Sequence, residues 1–358
     1  MSRKPDWETS GGDTDAPAVR KRVFVAGASG YIGRYVAREL LIRGHEVVCM
    51  VRKQSGINGA SGPEQTRSRL AGCELRFGDV TNTESLLRDG LRGEKFDAVV
   101  SCLASRNGGI ADSWRIDYQA SRQLLDASVA AGIQQFILLS AICVQKPRLA
   151  FQQAKLKMEQ ALINSGITYS IVRPTAFFKS IAGQIEAVRN GRPYMLFGNS
   201  DAACKPIGEA DLAAFMADCL EDTTLHNRIL PIGGPGQAMT ARERGELLFK
   251  LLGQQPRFRS VPVGVLKAAI PVLDGLGRLI PGLCDKAEFA RIGHYYATES
   301  MLVLDSETGS YDAAATPSYG RQTLNDFYQR VLEQGLAGQE LGDHAVFARN
   351  RKNSGLPH

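Results

Sequence analysis

Seven residues, Gly27-Ala28-Ser29-Gly30-Tyr31-Ile32-Gly33, constrain this chain more than any others, because they join an apolar run, Val23-Phe24-Val25-Ala26, directly to a segment with helical periodicity. That segment, residues 32–43, repeats apolar side chains at Ile32, Val36, Leu40 and Leu41 and stops at Gly44, a residue suited to a helix C-terminal cap. A second apolar run, Glu46-Val47-Val48-Cys49-Met50-Val51, follows at once. Strand, glycine turn, helix, strand is the repeating unit of a parallel sheet wound by crossover helices. Further runs predict strands at residues 75–77, 98–100, 136–139 and 169–172, with a helix over 121–131 among them. The alternation gives an α/β chain with a doubly wound parallel sheet of the Rossmann kind. After Pro174 the pattern loosens into Gly- and Pro-punctuated segments as far as Leu283, and a short helix is predicted over 324–334. The expected organisation is a disordered tail over 1–20 and a Rossmann domain over 21–174. A smaller C-terminal substrate lobe over 175–343 sends elements back to the Rossmann core, and a polar tail covers 344–358.

The position of the glycine turn gives it a chemical meaning. Gly27 permits the tight bend, Gly30 lets backbone approach a pyrophosphate, and Gly33 allows helix to pack closely on strand. The N–H groups of the helix start, around Ser29, Tyr31 and Ile32, then face the anion. NAD-specific proteins place an acid at the end of the second strand; this chain has Arg52 and Lys53. Cations there suit the 2′-phosphate of NADPH, although a solvated basic strand end would look the same. Asp79 and Val80, after the third strand, are expected to face the adenine. Cys102, Leu103, Ala104 and Ser105, after the fourth, are expected to line the ribose and nicotinamide, because ligands sit outside the carboxyl ends of the strands. NADPH is the expected cofactor.

The bulk properties exclude other classes. A net charge of +6 is spread among mixed acids and bases, with no Lys/Arg stripe interleaved with aromatics, so no nucleic-acid partner is expected. The 7 cysteines form no CxxC pair and no set with histidine at metal-ligand spacing, which predicts reduced thiols, a cytoplasmic protein and no bound metal. Residues 1–20 mix Arg3 and Lys4 with Asp6, Glu8, Asp13 and Asp15, unlike a signal or transit peptide. The apolar stretch 261–283 is interrupted by Pro262, Lys267, Pro271, Asp274, Arg278 and Pro281, so no transmembrane segment is expected. Peripheral contact with a membrane surface and a widened cleft for a large ligand both stay open for it. Nothing indicates the oligomeric state.

The glycine turn, Asp79-Val80, Ser140 ending the fifth strand and Arg173-Pro174 ending the sixth together resemble the extended and atypical short-chain dehydrogenase/reductase superfamily, NmrA-like members included. Most members carry Tyr-x-x-x-Lys, whereas this chain reads Phe151-Gln152-Gln153-Ala154-Lys155. A phenol donates a proton to the alkoxide that develops when a carbonyl is reduced, and phenylalanine cannot. Two readings survive: reduction of a substrate that develops no oxyanion, or NADPH binding without turnover by a regulator or assembly factor.

Longer segments are similar to the 3,8-divinyl (proto)chlorophyllide 8-vinyl reductases, the NADPH-dependent type without flavin or iron–sulfur centres. They are the glycine turn with its strand, Phe151 to Lys155 with Lys157 and Glu159, Ile171-Val172-Arg173-Pro174-Thr175-Ala176-Phe177-Phe178-Lys179, Tyr295-Tyr296-Ala297-Thr298-Glu299-Ser300-Met301-Leu302-Val303-Leu304-Asp305, and Ala315-Thr316-Pro317-Ser318-Tyr319-Gly320. The likeness runs from 22 to 343. It implies a magnesium-containing tetrapyrrole substrate of the chlorophyllide type whose 8-vinyl group becomes ethyl, a step of (bacterio)chlorophyll biosynthesis. The missing transit peptide then points to a bacterial cytoplasmic form. An ene-reductase acting on a smaller conjugated substrate is the further alternative.

Lys155 is the catalytic candidate, with two roles open: holding the nicotinamide ribose, or delivering a proton. Ser140, Pro174 and Phe177 join the cofactor set by the same resemblance. Phe177 and Phe178 close over the nicotinamide or macrocycle, or belong to the core. Arg106, in Arg106-Asn107-Gly108-Gly109, meets a substrate carboxylate or sits in a solvated turn. His294, Tyr295 and Tyr296 stack on the pigment, ligate its magnesium, or simply pack.

Overall fold

The computed structural model describes residues 19–54, 62–106, 108–198, 201–277 and 282–335. The expected tails, apart from Val19 and Arg20, lie outside the described residues, as do Asn107 of the loop assigned to the substrate and residues 278–281 of the proline-interrupted stretch.

Val23, Phe24, Val25 and Ala26 lose all their exposure because their strand lies at the middle of the main sheet, covered on both faces. That sheet has seven parallel strands, numbered here along the chain: β1 (Arg22–Ala26), β2 (Glu46–Val51), β3 (Glu74–Phe77), β4 (Ala98–Ser101), β5 (Gln135–Leu139), β6 (Thr168–Pro174) and β7 (Arg228–Ile232). They lie in the order β3-β2-β1-β4-β5-β6-β7, so the winding reverses between β1 and β4. A cofactor binds at such a switch point. The sequence pattern misses β7, whose Pro231 reads as a loop residue. Its position explains the proline: β7 pairs only with β6, at the sheet edge, where a residue without an N–H is tolerated.

Alternate residues of β1 feed two cores. Val23 and Val25 pack with Val36 and Leu40 of α1 (Tyr31–Ile42), while Phe24 and Ala26 pack with Leu124 and Leu125 of α2 (Ser121–Ala130) and Met158 and Leu162 of α3 (Ala150–Ile163). Each of these valine, leucine, methionine and phenylalanine side chains contributes about 1.5–3 kcal/mol on leaving water. The predicted end of α1 is present, with Gly44 at φ +82° just beyond it. The helix predicted over 121–131 has a longer approach: Ile110–Ser113 and a π-helical turn, Trp114–Ala120, lead into α2.

Past Pro174, α4 (Glu209–Glu221) packs against α1 on the first face. Its Leu212, Phe215, Met216 and Cys219 are buried there. A separate small core gathers Phe178, Tyr194, Leu248 and Phe249 of α5 (Ala241–Leu251), and Phe327 and Tyr328 of the C-terminal helix Leu324–Gln334. The proline-interrupted stretch forms α6 (Gly264–Gly277) and the start of α7 (Gly282–Thr298), which pack on each other. The C-terminal helix, Leu324–Gln334, is α8. Among the described residues no helix is long and apolar enough to cross a membrane.

Candidate active site

The turn after β1 is shaped by what a side chain would strike. A Cβ on Gly27, whose φ is +82°, would stand 2.6 Å from the carbonyl oxygen of Cys102 at the end of β4. A Cβ on Gly33 would collide with the carbonyl of Gly27, so α1 approaches the loop only because no Cβ is present. The Gly30 N–H donates to the Gly27 carbonyl at 2.9 Å, closing the turn. Ser29 is half-buried and Gly30 exposed at the mouth of the loop, leaving backbone for an anion to approach. This cradle fits a dinucleotide pyrophosphate. Ile32 buries its side chain in the first core, so only its backbone is available to a ligand. The Tyr31 hydroxyl donates to buried Glu209, tying the loop to the start of α4, and burial raises the carboxyl of Glu209 above its usual range. Lys179 Nζ lies 4.2 Å from the centroid of the Tyr31 ring. It is a cation beside the loop to which the sequence reading gave no role.

Beyond β2 and β3 an open cleft of about 530 Å³ is lined by Arg52, Lys53, Phe77, Asp79, Ser85 and Arg88, among others. Burial of the Arg52 guanidinium and the positive charge of Arg106 lower its pKa, with Asp79 opposing them. A gathering of cations that disfavour one another is suited to an anionic group such as a 2′-phosphate. Asp79 turns its carboxylate to its own loop, accepting from the N–H and hydroxyl of Thr81 at 2.9 and 2.8 Å. Val80 packs against the second core. Arg106, assigned a substrate carboxylate or a solvated turn, acts electrostatically on Arg52, and its backbone N–H donates to Asp112 at 2.9 Å.

At the other end, Lys155 Nζ lies 3.1 Å from Asp117 Oδ1, with the two side chains 11% and 1% exposed. Asp117 also accepts the backbone N–H of Ser105, at 3.3 and 3.4 Å to its two oxygens, so one carboxylate ties α3 to the loop after β4. Sequence reasoning missed Asp117. It projects from the π-helical turn Trp114–Ala120, a conformation found disproportionately at functional sites, and no local spacing links it to Lys155. Burial pushes the Cys102 thiol up to about 12 while the charge of Lys155 pulls it down. Leu103 is buried and Ala104 exposed beside it. Ser140 donates its hydroxyl to buried Glu159, which also receives Arg173 Nε at 3.1 Å; this clasp joins the ends of β5 and β6 to α3. Pro174 is buried at the end of β6, and Phe177 is half-buried against the first core. Phe178 is a core residue, fully buried with its ring 5.1 Å from that of Phe327.

Helix α7 packs against the loops after β4 and β5 and the start of α3. A Cβ on Gly108 would stand 2.8 Å from Ile292 Cδ1, the Ala150 N–H donates to Glu288 at 2.8 Å, and the Tyr295 hydroxyl donates to the Cys143 carbonyl at 2.9 Å. Tyr295 is thereby a packing residue, and His294 is half-buried next to it. Tyr296 is exposed, with its hydroxyl 4.0 Å from Cys143 Sγ. Among the described residues no group of three or more His, Cys, Asp and Glu could hold a metal ion.

Residues 27–223 match the NAD(P)H-binding family. Over 337 residues the chain is 54% identical to the chloroplastic divinyl chlorophyllide a 8-vinyl-reductase of Zea mays, covering 92% of this chain and 84% of that protein. It is 26% identical over 248 residues to the photosystem II assembly factor Ycf39 of Cyanophora paradoxa, covering 69% of this chain and 74% of the factor. The solved leucoanthocyanidin reductase–NADPH complex of Vitis vinifera superposes with a TM-score of 0.63 at 17% identity, covering 87% of this chain and all 100% of that one, which shows the shared fold. The chain belongs to the divinyl chlorophyllide a 8-vinyl-reductase family, built on an NAD(P)H-binding Rossmann fold.

Proposed function

We propose that this chain uses NADPH to reduce the 8-vinyl group of 3,8-divinyl chlorophyllide or protochlorophyllide to ethyl, in (bacterio)chlorophyll biosynthesis. The observation that carries the reading is the 54% identity with the maize reductase, spread over 92% of the chain and so including both the cofactor cleft and α7. The likeness to an assembly factor is weaker and shorter, which disfavours NADPH binding without turnover. Arg52, Lys53 and Arg88 around the adenosine cleft support NADPH over NADH. Each charge-assisted bond to the 2′-phosphate is worth about 1.5–3 kcal/mol.

Bound NADPH supplies a hydride from C4 of its nicotinamide. The residues of the chain position and shield that reaction. The glycine loop holds the pyrophosphate, and Lys155, fixed by Asp117, is placed to bind the nicotinamide ribose. Phe151, half-buried at the position where a carbonyl reductase needs its phenol, suits a substrate that forms no oxyanion. A conjugated macrocycle spreads the negative charge left after the outer vinyl carbon is reduced, so the inner carbon can take a proton without a strong acid. The lobe after Pro174 supplies the remaining walls of the substrate site.

The 7 free cysteines support a reducing compartment such as the cytoplasm. Val272 and Leu276, exposed on α6, support peripheral contact with a membrane, which flotation with phosphatidylglycerol vesicles tests. The function itself is tested by mixing the purified protein with NADPH and divinyl chlorophyllide. A Soret shift towards the monovinyl pigment is expected, and bound NADPH with no spectral change would instead indicate a non-catalytic protein. Failure to reduce the pigment alongside reduction of a small enone would indicate an ene-reductase of another kind.

A further inference from the structure

We propose that Tyr296, on α7, supplies the phenol that position 151 lacks and donates the proton to the inner carbon of the reduced vinyl group. This rests on the function proposed above and names a catalytic residue for it.

Cys143 lies in the tight turn Ile142–Gln145 that follows β5. Phe151 packs against the cluster that contains Ile142, Cys143 and Tyr295. The positive charge of Lys155 is felt at the Cys143 thiol, and the Tyr296 hydroxyl stands 4.0 Å from the same sulfur. The ring without a hydroxyl, the charge of the lysine and a phenol from a distant helix therefore all bear on the surroundings of Cys143. In a Tyr-x-x-x-Lys protein the first and third of these functions would come from a single residue on α3.

The register of α7 is fixed around this point. Tyr295 is anchored to the Cys143 carbonyl, and its ring stands at 85° to that of Tyr296 with centroids 5.9 Å apart. The contacts of Glu288 with Ala150 and of Ile292 with Gly108 hold the preceding turns. Tyr296 is nevertheless 43% exposed as a whole residue, unlike Tyr295, so a flat substrate can lie against its ring while the hydroxyl points in to Cys143.

The other donors at this end are already engaged. Lys155 is paired with Asp117, the Ser140 hydroxyl with Glu159, and the Tyr295 hydroxyl with a carbonyl. Among the described residues the hydroxyl of Tyr296 contacts only a thiol, a weak partner that a substrate displaces at little cost. Burial of the hydroxyl and the neighbouring Cys143 and Tyr295 push the phenol well above its ordinary range, so it carries its proton at neutral pH.

The step balances. The vinyl group gains two electrons and one hydrogen at its outer carbon as NADPH is oxidised to NADP⁺. The O–H bond of Tyr296 then breaks as a C–H bond forms at the inner carbon, and the phenolate regains a proton from water.

Tyr296→Phe is expected to bind NADPH and divinyl chlorophyllide within about twofold of the parent, both read by fluorescence quenching. Single-turnover reduction is expected to fall by about 10²-fold or more, the usual contribution of a positioned acid. Adding Phe151→Tyr to that variant, which restores a phenol one turn before Lys155, is expected to recover part of the rate. If Tyr296→Phe does not fold, 3,5-difluorotyrosine incorporated at position 296 is expected to move the alkaline limb of the rate profile to lower pH. An undiminished rate in Tyr296→Phe, or an unmoved profile in the fluorinated protein, overturns the assignment while leaving the reductase reading intact. Failure of the parent protein to reduce the pigment would instead remove that reading.

Discussion

The two ends of the cleft are built from different materials. At the loop after β1 the cradle is backbone, and its shape depends on the absence of Cβ atoms at Gly27 and Gly33. Around Lys155 it is side chains: Lys155 from α3 paired with Asp117 from a π-helical turn, and Cys143 from the turn after β5 beside Tyr296 from α7. The first kind of site is written in a few consecutive residues. The second exists only once the fold has brought separate segments together.

That contrast predicts where substitutions act. Asp117→Ala leaves the Lys155 ammonium buried without its partner, so it should destabilise the protein by about 3–5 kcal/mol, seen as a lowered denaturant midpoint. Lys155→Met should cut turnover by about 10²–10⁴-fold. A matching rise in the NADPH dissociation constant would assign Lys155 to the ribose, and unchanged NADPH binding with lost turnover would assign it to proton delivery. Near-normal turnover with tight NADPH binding would eliminate both roles. At the backbone end, Gly33→Ala should act through overpacking, about 1–3 kcal/mol, weakening nucleotide binding without a separate effect on chemistry. If Gly33→Ala instead lowered turnover at saturating NADPH, the two ends would not be separable. Arg52→Ala should reduce the preference for NADPH over NADH by about tenfold or more, measured as the ratio of their dissociation constants.

The smallest expected effect distinguishes the surroundings of the main sheet from the small core at Phe178 and Phe327 by their response to pH. Burial holds both His45 and His226 below the ordinary histidine range, so the folded state favours their neutral forms. The unfolded chain binds more protons once the pH drops below about 6.5, the ordinary histidine value. Stability from these groups is therefore complete above that pH and declines as the pH falls towards their folded values. Hydrogen exchange at pH 5.5 against pH 7.5 should show loss of protection around β2 and α4 before the small core at Phe178 and Phe327. Equal loss in both regions would contradict it.

The same contrast explains what could be read from the sequence. The unit β1-α1-β2 and its glycine turn were legible because period, cap and loop chemistry all lie within one short segment. Arg52 and Lys53 were legible because a strand end has a fixed place relative to that loop. Pro231 hid β7, since only an edge position makes a proline in a strand acceptable, and being an edge is a property of the whole sheet. Phe177 and Phe178 could not be told apart until packing sent the second into the core against Phe327. Lys155 was visible through its spacing from Phe151, but Asp117 has no local signal, and Tyr296 looked the same as Tyr295 until one was anchored to Cys143 and the other left exposed.

The central claim, that this cleft passes a hydride from the nicotinamide to a vinyl carbon, is tested most directly by isotope transfer. A single turnover of divinyl chlorophyllide with NADPH fully deuterated at C4, followed by mass and proton spectra of the pigment, should place one deuterium on the outer carbon of the new ethyl group. Monovinyl product carrying no deuterium there, or no product while NADPH remains bound, would contradict the account.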